Sequence, residues 1–332
     1  MTAFNRKTEL FIGTFKDESD LGSGFLVDNL DYEFDVTRST VFYKDAATFI
    51  VYNPNRDTIN EIMNSGVAVI FKAGYENDQF GTIFVGQIAT VYTESDGPEE
   101  EKIVIVCNSQ RGANYPLQRT YIAAVVEEGK TYFDVLKIIS DYVGVPLSGA
   151  EVLKSFKLSE DYIVCGNVRD EVENFIKRKL REVGGTVIIS NNEMLYIDKN
   201  DKANFETVNL TFRTGLISVK KSRDEKYQSS EDAFSENQAY YLGMVNHGDK
   251  DVAKEKAILA SIPSRNVIEF ECLINPQIGV GKPIQVDGYR NDDDVGAVSG
   301  RFFVTDLRIQ GDNFGSQFMM SGKAEEKLKY GT

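Results

Sequence analysis

Residues 67–107 read VAVIFKAGYENDQFGTIFVGQIATVYTESDGPEEEKIVIVC, and this stretch decides the fold class. Two polar turns, at 76–79 and 95–99, separate three apolar runs, Val67–Ala73, Phe80–Thr93 and Lys102–Cys107. Apolar runs rich in β-branched residues and bounded by turn residues predict a meander of three strands. Both alternating faces of the second run are largely apolar, so we predict that this strand is covered on both sides.

A short helix is predicted just before the meander. Asp57 is a candidate N-cap, and Ile59, Ile62 and Met63 have the i, i+3, i+4 spacing of one helix face. Gly66 follows at the position where a C′ glycine often ends a helix. With the meander, this helix places residues 1–115 in a first β domain.

Residues 116–205 change to helical periodicity. Thr131–Asp134 resembles a capping box that opens one helix, which Gly144 ends. A second helix begins at Asn167 and has apolar residues at 172, 175, 176, 180 and 183. Two short strands follow, Thr186–Ser190 and Met194–Asp198. This pattern predicts a small α+β insert domain.

Residues 206–332 return to strand patterns. In Asn266–Ile274 the apolar residues alternate with Glu269 and Glu271, which is typical of a half-buried strand. Two further strand patterns flank Gly311–Gly315, which predicts a hairpin with a loop that glycine permits. One helix is predicted at Asp249–Ala260. The predicted fold is therefore mainly β, with the α+β insert between two β domains.

Charge and composition exclude several classes of function. The chain has 332 residues, with 37 Lys and Arg against 51 Asp and Glu, a net charge of −14 and a pI near 4.7. Binding to nucleic acid or to an anionic membrane surface requires clustered basic residues, so both are disfavoured. No apolar stretch approaches 18 residues and no signal peptide is visible, which predicts no membrane insertion.

Cysteine and histidine usage also argues against catalysis and metal binding. The three cysteines, Cys107, Cys165 and Cys272, form no CxxC motif, and their odd number favours a reducing compartment over a disulfide scaffold. His247 is the single histidine, which excludes any site built on several histidines. We interpret it as a loop residue.

Four other motifs have simpler structural interpretations. Gly279–Pro283 lacks the spacing of a phosphate loop and reads as a turn leading into a strand. Gly22–Gly24 lacks a third glycine, and Asp292–Asp294 lacks the spacing of a calcium loop. Lys177–Arg181 reads as a solvated helix end. Carboxylate pairs for glycoside hydrolysis remain possible, but no feature selects one pair. We therefore predict no catalytic, cofactor-binding or metal-binding residues, and a structural or interaction protein rather than an enzyme.

Three segments, taken in order, resemble the baseplate (tail) hub family of contractile-tail bacteriophages, including the late control protein D group. The first is Gly66–Glu76, with its strand and "GY" turn, running into Ile83–Ile88, which matches "F-x-G-x-I". The second is Cys272–Ile284, which resembles the family's "L-x-P-x-I-x-V-G" turn. The third is Phe303–Leu307 followed by Gly311–Gly315, similar to the terminal "GDN-x-G" hairpin. The resemblance covers the whole chain.

The resemblance implies two β-barrel-like domains built like tail-tube subunits, at 1–115 and 206–332, flanking the insert at 116–205. Three chains would form a ring of six such domains, which joins the sixfold tail tube to the threefold central spike and lets DNA pass. The implied partners are a tail tube or tube-initiator protein, the central spike protein and the tape-measure protein. The implied location is the baseplate of the virion tail, after assembly in the host cytoplasm, and no cofactor is implied.

Two alternatives remain open at this point. The chain could be the hub-like module of a tail-associated lysin or of a contractile secretion or bacteriocin spike complex. It could also be a carbohydrate-binding or hydrolytic β protein, although the absence of Trp argues against sugar stacking. For a hub, we expect an acidic or neutral channel, since basic walls would retain DNA. Residues 1–115 hold 9 basic and 18 acidic side chains and so carry −9 of the net charge.

Overall fold

The computed structural model describes most of the chain, in segments. The described residues are 5–13, 24–27, 29–40, 45–65, 68–76, 79–97, 100–108, 121–180, 183–190, 193–198, 205–223, 266–288 and 298–326. Several predictions lie outside them: His247, the Asp249–Ala260 helix, Asp292–Asp294, Gly66 as a helix end, and most of Gly22–Gly24.

Among its described residues, the first part of the chain contains seven strands and one helix. They are β1 (Arg6–Gly13), β2 (Phe25–Leu26), β3 (Tyr32–Ser39), β4 (Ala46–Tyr52), α1 (Arg56–Ser65), β5 (Ala68–Tyr75), β6 (Gln79–Gly97) and β7 (Glu100–Asn108). Strands β5, β6 and β7 pair antiparallel in sequence order, which confirms the predicted meander. Strand β6 continues to Gly97, through most of the turn predicted at 95–99.

Two local predictions in this part are wrong. The N-cap of α1 is Asn55, whose side chain accepts the N–H of Thr58 at 2.8 Å. The helix begins at Arg56, so Asp57 lies in its first turn rather than at the cap. Met63 points to solvent, although Ile62 is buried.

Strand β6 is covered on both sides only in its first half. Ile83 and Phe84 are buried, but Ala89, Thr90 and Tyr92 are exposed. Pairing with β5 ends at Gln87, and beyond that residue β6 pairs with β7. The apolar alternation shows that both faces of β6 could be buried. Whether they are buried depends on chain segments that lie far away in sequence.

In the described part of the insert there are five strands, two α-helices, a 3₁₀ helix and a π-helical segment. They are β8 (Tyr121–Val126), α2 (Tyr132–Val143), β9 (Leu147–Ser148), a 3₁₀ helix (Ala150–Ser155), β10 (Tyr162–Asn167), and α3 (Val168–Phe175), which continues as a π-helical segment (Ile176–Leu180), then β11 (Gly185–Ser190) and β12 (Glu193–Asp198). The predicted capping box is present: Asp134 N donates to Thr131 Oγ1 at 3.3 Å, and Thr131 N donates to Asp134 Oδ2 at 2.7 Å. The predicted end is also confirmed, because Gly144 has a left-handed φ of 76°.

The residues described in the last part add six strands. They are β13 (Val208–Thr211), β14 (Leu216–Arg223), β15 (Asn266–Cys272), β16 (Pro283–Asp287), β17 (Ser299–Asp312) and β18 (Phe318–Glu325). In β15, Ile268, Phe270 and Cys272 are buried, as their alternation with glutamates predicted. The hairpin β17–β18 is confirmed, and its loop is closed by Asp312, whose carboxylate accepts backbone N–H groups of Phe314, Gly315 and Gln317.

The first and last parts share one sheet. Its spatial order is β14-β15-β18-β17-β3-β4-β7-β6-β5-β1-β2, with β16 on β17 and β13 on β16. One core cluster draws buried residues from both parts, and a second lies in the insert. The fold is mainly β, as predicted. The boundaries near 115 and 205 stay a prediction. Among the described residues, no helix has the length and apolarity to span a membrane.

Candidate functional site: the junction between insert and sheet

The turn at Asn275–Lys282 places the last part of the chain against the insert. The side chain of Asn275 accepts the N–H of Gln277 at 2.9 Å, and the backbone N–H of Gly281 donates to the carbonyl of Val304 at 2.8 Å. The chain then enters β16 at Pro283. The structure therefore confirms the predicted turn leading into a strand at Gly279–Pro283.

Gly281 has two reasons to be glycine. Its φ is +80°, a left-handed conformation that side chains with a Cβ disfavour. A Cβ at this position would also lie 2.8 Å from Cδ1 of Ile197 and 3.2 Å from Cδ1 of Ile188. Both isoleucines belong to the hairpin β11–β12 of the insert. The glycine thus lets the sheet's turn approach the insert closely.

The hairpin β11–β12 packs against both cores. Ile188 and Ile197 belong to the core of the large sheet, whereas Val187, Met194 and Tyr196 belong to the core of the insert. Alternation of side chains along a strand puts neighbouring residues on opposite faces. The hairpin is therefore the layer through which the insert is attached to the sheet.

A buried polar cluster lies beside this apolar contact. Arg38, at the end of β3, is 8% exposed, and its Nε donates to Oγ of Ser190 at 3.4 Å. Ser190 in turn donates to Oδ2 of Asp45 at 2.6 Å, and Asp45 Oδ1 accepts the backbone N–H of Ser39 at 2.9 Å. We call the cluster of Arg38, Ser39, Asp45 and Ser190, with the turn at Gly281, the junction.

Charge around the junction is balanced by contacts from three chain segments. Burial lowers the pKa of the Arg38 guanidinium, and the negative charges of Asp45 and Glu193 oppose that shift. Glu193 also lies 3.5 Å from Nζ of Lys282, next to the turn. Oγ of Ser39 donates to Oδ1 of Asp306 at 2.8 Å. A buried arginine is tolerated here because carboxylates and hydroxyls surround it.

An open groove of about 680 Å³ lies on the sheet face next to Arg38. Cations and carboxylates alternate along it. Lys323 lies 3.3 Å from Glu269, and at the groove edge Arg308 donates to Asp35 at 2.7 Å. These pairs are exposed, so each contributes little to stability. Their main consequence is that Lys323 and Arg308 on this face each lie next to a carboxylate of the same chain.

The junction joins the insert to the sheet through buried hydrogen bonds and a close apolar contact. Within the ranges that the structure describes, no group of three His, Cys, Asp or Glu side chains is placed to hold a metal ion. In the basic run Lys177–Arg181, Lys179 lies 3.8 Å from Glu160. Sequence reasoning singled out Gly281 only as part of a turn. It missed Arg38, Asp45 and Ser190, because no local spacing connects residues 145 positions apart.

Two solved structures share this fold over nearly the whole chain. The tail protein from Neisseria meningitidis MC58 matches with a TM-score of 0.56 at 10% identity, over 97% of each chain. The 43 kDa tail protein of prophage MuSo2 from Shewanella oneidensis matches with a TM-score of 0.53 at 9% identity, over 96% of this chain and 97% of that one. No protein-family model and no curated protein matches the sequence. At such low identities these likenesses show a common fold.

Proposed function

We propose that this chain is the structural hub of a contractile phage tail, in which three copies form a ring between the tail tube and the central spike. The observation that carries this proposal is the fold shared, nearly end to end, with two tail proteins. The three sequence segments that resemble hub proteins support the same family independently. Tube or tube-initiator, spike and tape-measure proteins are the partners that this role requires, at the baseplate of the virion tail.

The architecture of the sheet supports a ring. Residues from β3 and β17 pair directly, so the first and last parts of each chain are joined through seven registered pairs, from Ser39–Asp306 to Glu33–Asp312. A rigid connection between two β parts would let three chains present six similar units in fixed positions. Closed rings use heterologous interfaces, in which two different patches meet.

Electron microscopy of the purified full-length chain tests the ring. We expect class averages with threefold symmetry, six peripheral densities and a central hole. Averages that contain only single chains at every concentration would contradict the proposal.

We also propose that the ring's role is mechanical and not enzymatic. The junction provides buried hydrogen bonds and a buried charge, but the hydroxyl of Ser190 donates to Asp45, whose carboxylate is itself held by the backbone N–H of Ser39. Zymography on peptidoglycan tests this proposal and should show no clearing. A clearing band that disappears on replacing one acidic residue would overturn it.

The channel of the proposed ring should be acidic or neutral. The net charge of −14 supports this, as do the paired cations on the open sheet face, such as Lys323 beside Glu269. Such a lumen would let DNA pass without retaining it, since phosphate binding needs free basic groups. A gel-shift titration at low salt should show no retained DNA. Retention that weakens steeply with salt would indicate a basic lumen.

A further inference from the structure

The two-stranded sheet β8–β10 in the insert has one apolar face that is open to solvent. Tyr121, Val125 and Ile163 on this face are 72%, 59% and 66% exposed, and Ala123 and Cys165 beside them are also exposed. The register places Val125 opposite Ile163 and Ala123 opposite Cys165. We call these five residues the outer face. No charged side chain lies among them, although the chain carries 88 charged residues.

The sequence of these strands fits a sheet that is covered on both sides. On the opposite face, Ile122, Val126 and Val164 are buried in the insert core. Strands that are apolar on both faces are typical of sheets with cover above and below. The exposed half of β6 differs, because Thr90, Thr93 and Glu94 lie along it. The outer face therefore has the composition of an interface.

The size of the outer face limits what can cover it. Two strands side by side span about 10 Å, and five residues of strand extend about 17 Å. A single helix of about three turns has the same width and length. The outer face therefore matches the footprint of one such helix.

Carboxylates at one end of the outer face would orient a helix docked on it. Glu127 and Glu128 follow β8, and Glu160 and Asp161 precede β10, so four carboxylates flank one end of the outer face. Asp161 accepts the N–H of Glu128 at 2.8 Å, and Lys179 lies 3.8 Å from Glu160. An apolar helix with basic residues at one end would bury its stripe on the face and place that end beside these carboxylates.

We propose that the outer face docks an amphipathic helix of a partner protein, with the basic end of the helix at Glu127 and Glu128. This interaction surface is separate from the junction and does not depend on the proposed ring. Cys165 lies in the middle of the face and is exposed, so its alkylation rate reports directly whether the face is covered.

The experiment uses the full-length chain and a synthetic helical peptide of about three turns with a leucine stripe and C-terminal lysines. Saturating peptide should slow the alkylation of Cys165 at least about tenfold. A peptide with the same stripe and C-terminal glutamates should bind about tenfold more weakly. Equal protection by both peptides, or no protection by either, would overturn the proposal. Slow alkylation without peptide, with rates that rise on dilution, would show a second copy on the face and overturn it as well.

A matched pair of variants distinguishes binding at the outer face from nonspecific binding to exposed apolar residues. Val125→Thr with Ile163→Thr keeps β-branched residues on the strands but removes apolar contact, and it should weaken peptide binding about tenfold. Met63→Gln with Tyr142→Gln changes two residues of similar exposure elsewhere, 52% and 54%, and should leave binding unchanged. Equal loss in both variants would contradict a specific site. The alkylation of wild-type Cys165 needs no variant, so the test holds even if a variant folds poorly.

Discussion

Replacing Asp45 by alanine should detach the insert from the sheet more effectively than any other single change at the junction. Asp45 accepts hydrogen bonds from the backbone of Ser39 at 2.9 Å and from Ser190 at 2.6 Å. It also opposes the desolvation of Arg38, which is 8% exposed. Its removal takes the acceptor from two buried hydrogen bonds and leaves Glu193 as the carboxylate that still opposes the burial of Arg38. Breaking a buried charged network in this way costs about 3–5 kcal/mol. We expect Asp45→Ala to lower the free energy of unfolding by that amount.

Urea denaturation followed by tyrosine fluorescence measures this change, because the chain has 16 Tyr and no Trp. The matched control is Asp141→Ala, which removes an exposed carboxylate paired with Lys137 and should cost less than about 0.5 kcal/mol.

The double variant Arg38→Met with Asp45→Ala decides the cause. Removing the buried charge should recover a large part of the loss, because an apolar replacement of a buried ion pair is often nearly neutral. Costs that simply add, or a loss below about 1 kcal/mol for Asp45→Ala alone, would refute the electrostatic argument.

Three further predictions concern local features. Gly281→Ala should destabilise the chain by about 1–3 kcal/mol in the same denaturation assay, because the new Cβ would lie 2.8 Å from Cδ1 of Ile197. The control is Gly97→Ala, which should be nearly neutral because the space around Gly97 is open. Thr131→Ala should cost about 1 kcal/mol through the lost cap. The hydrogen bond from the Thr131 N–H also lowers the pKa of Asp134. The stability that the ionised Asp134 carboxylate contributes to the folded chain is therefore present above about pH 4 and is lost as the pH falls through the lowered pKa. Asp134→Asn should flatten this acid dependence of the unfolding midpoint. Iodoacetamide at pH 8 should modify only Cys165 in the native chain, since burial raises the pKa of the other two thiols, and mass spectrometry should find all three modified after denaturation.

The features that could be predicted from sequence are those set by neighbouring residues. The meander at 67–107, the capping box at Thr131 and the terminal hairpin each depend on a few consecutive side chains and on turn chemistry. The N-cap of α1 was missed by two positions, because Asn55 and Asp57 can both accept the same kind of bond.

The features that could not be predicted depend on contacts between distant segments. Nothing in the sequence around Arg38 indicates that its partners are Asp45 and, 152 positions away, Ser190. The prediction that β6 is covered on both sides along its whole length was wrong for the same reason. An apolar pattern in a strand does not identify which distant segment packs on that strand. Gly281 was recognised as a turn residue, but its contact with Ile197 became visible only in the fold.

Native mass spectrometry of the full-length chain tests the proposed hub most directly. We expect a closed trimer, with a mass near three times the chain mass of 37.2 kDa and no larger species in the series. A single chain at all accessible concentrations, or an open series of oligomers that grows with concentration, would contradict the ring on which the proposed function depends.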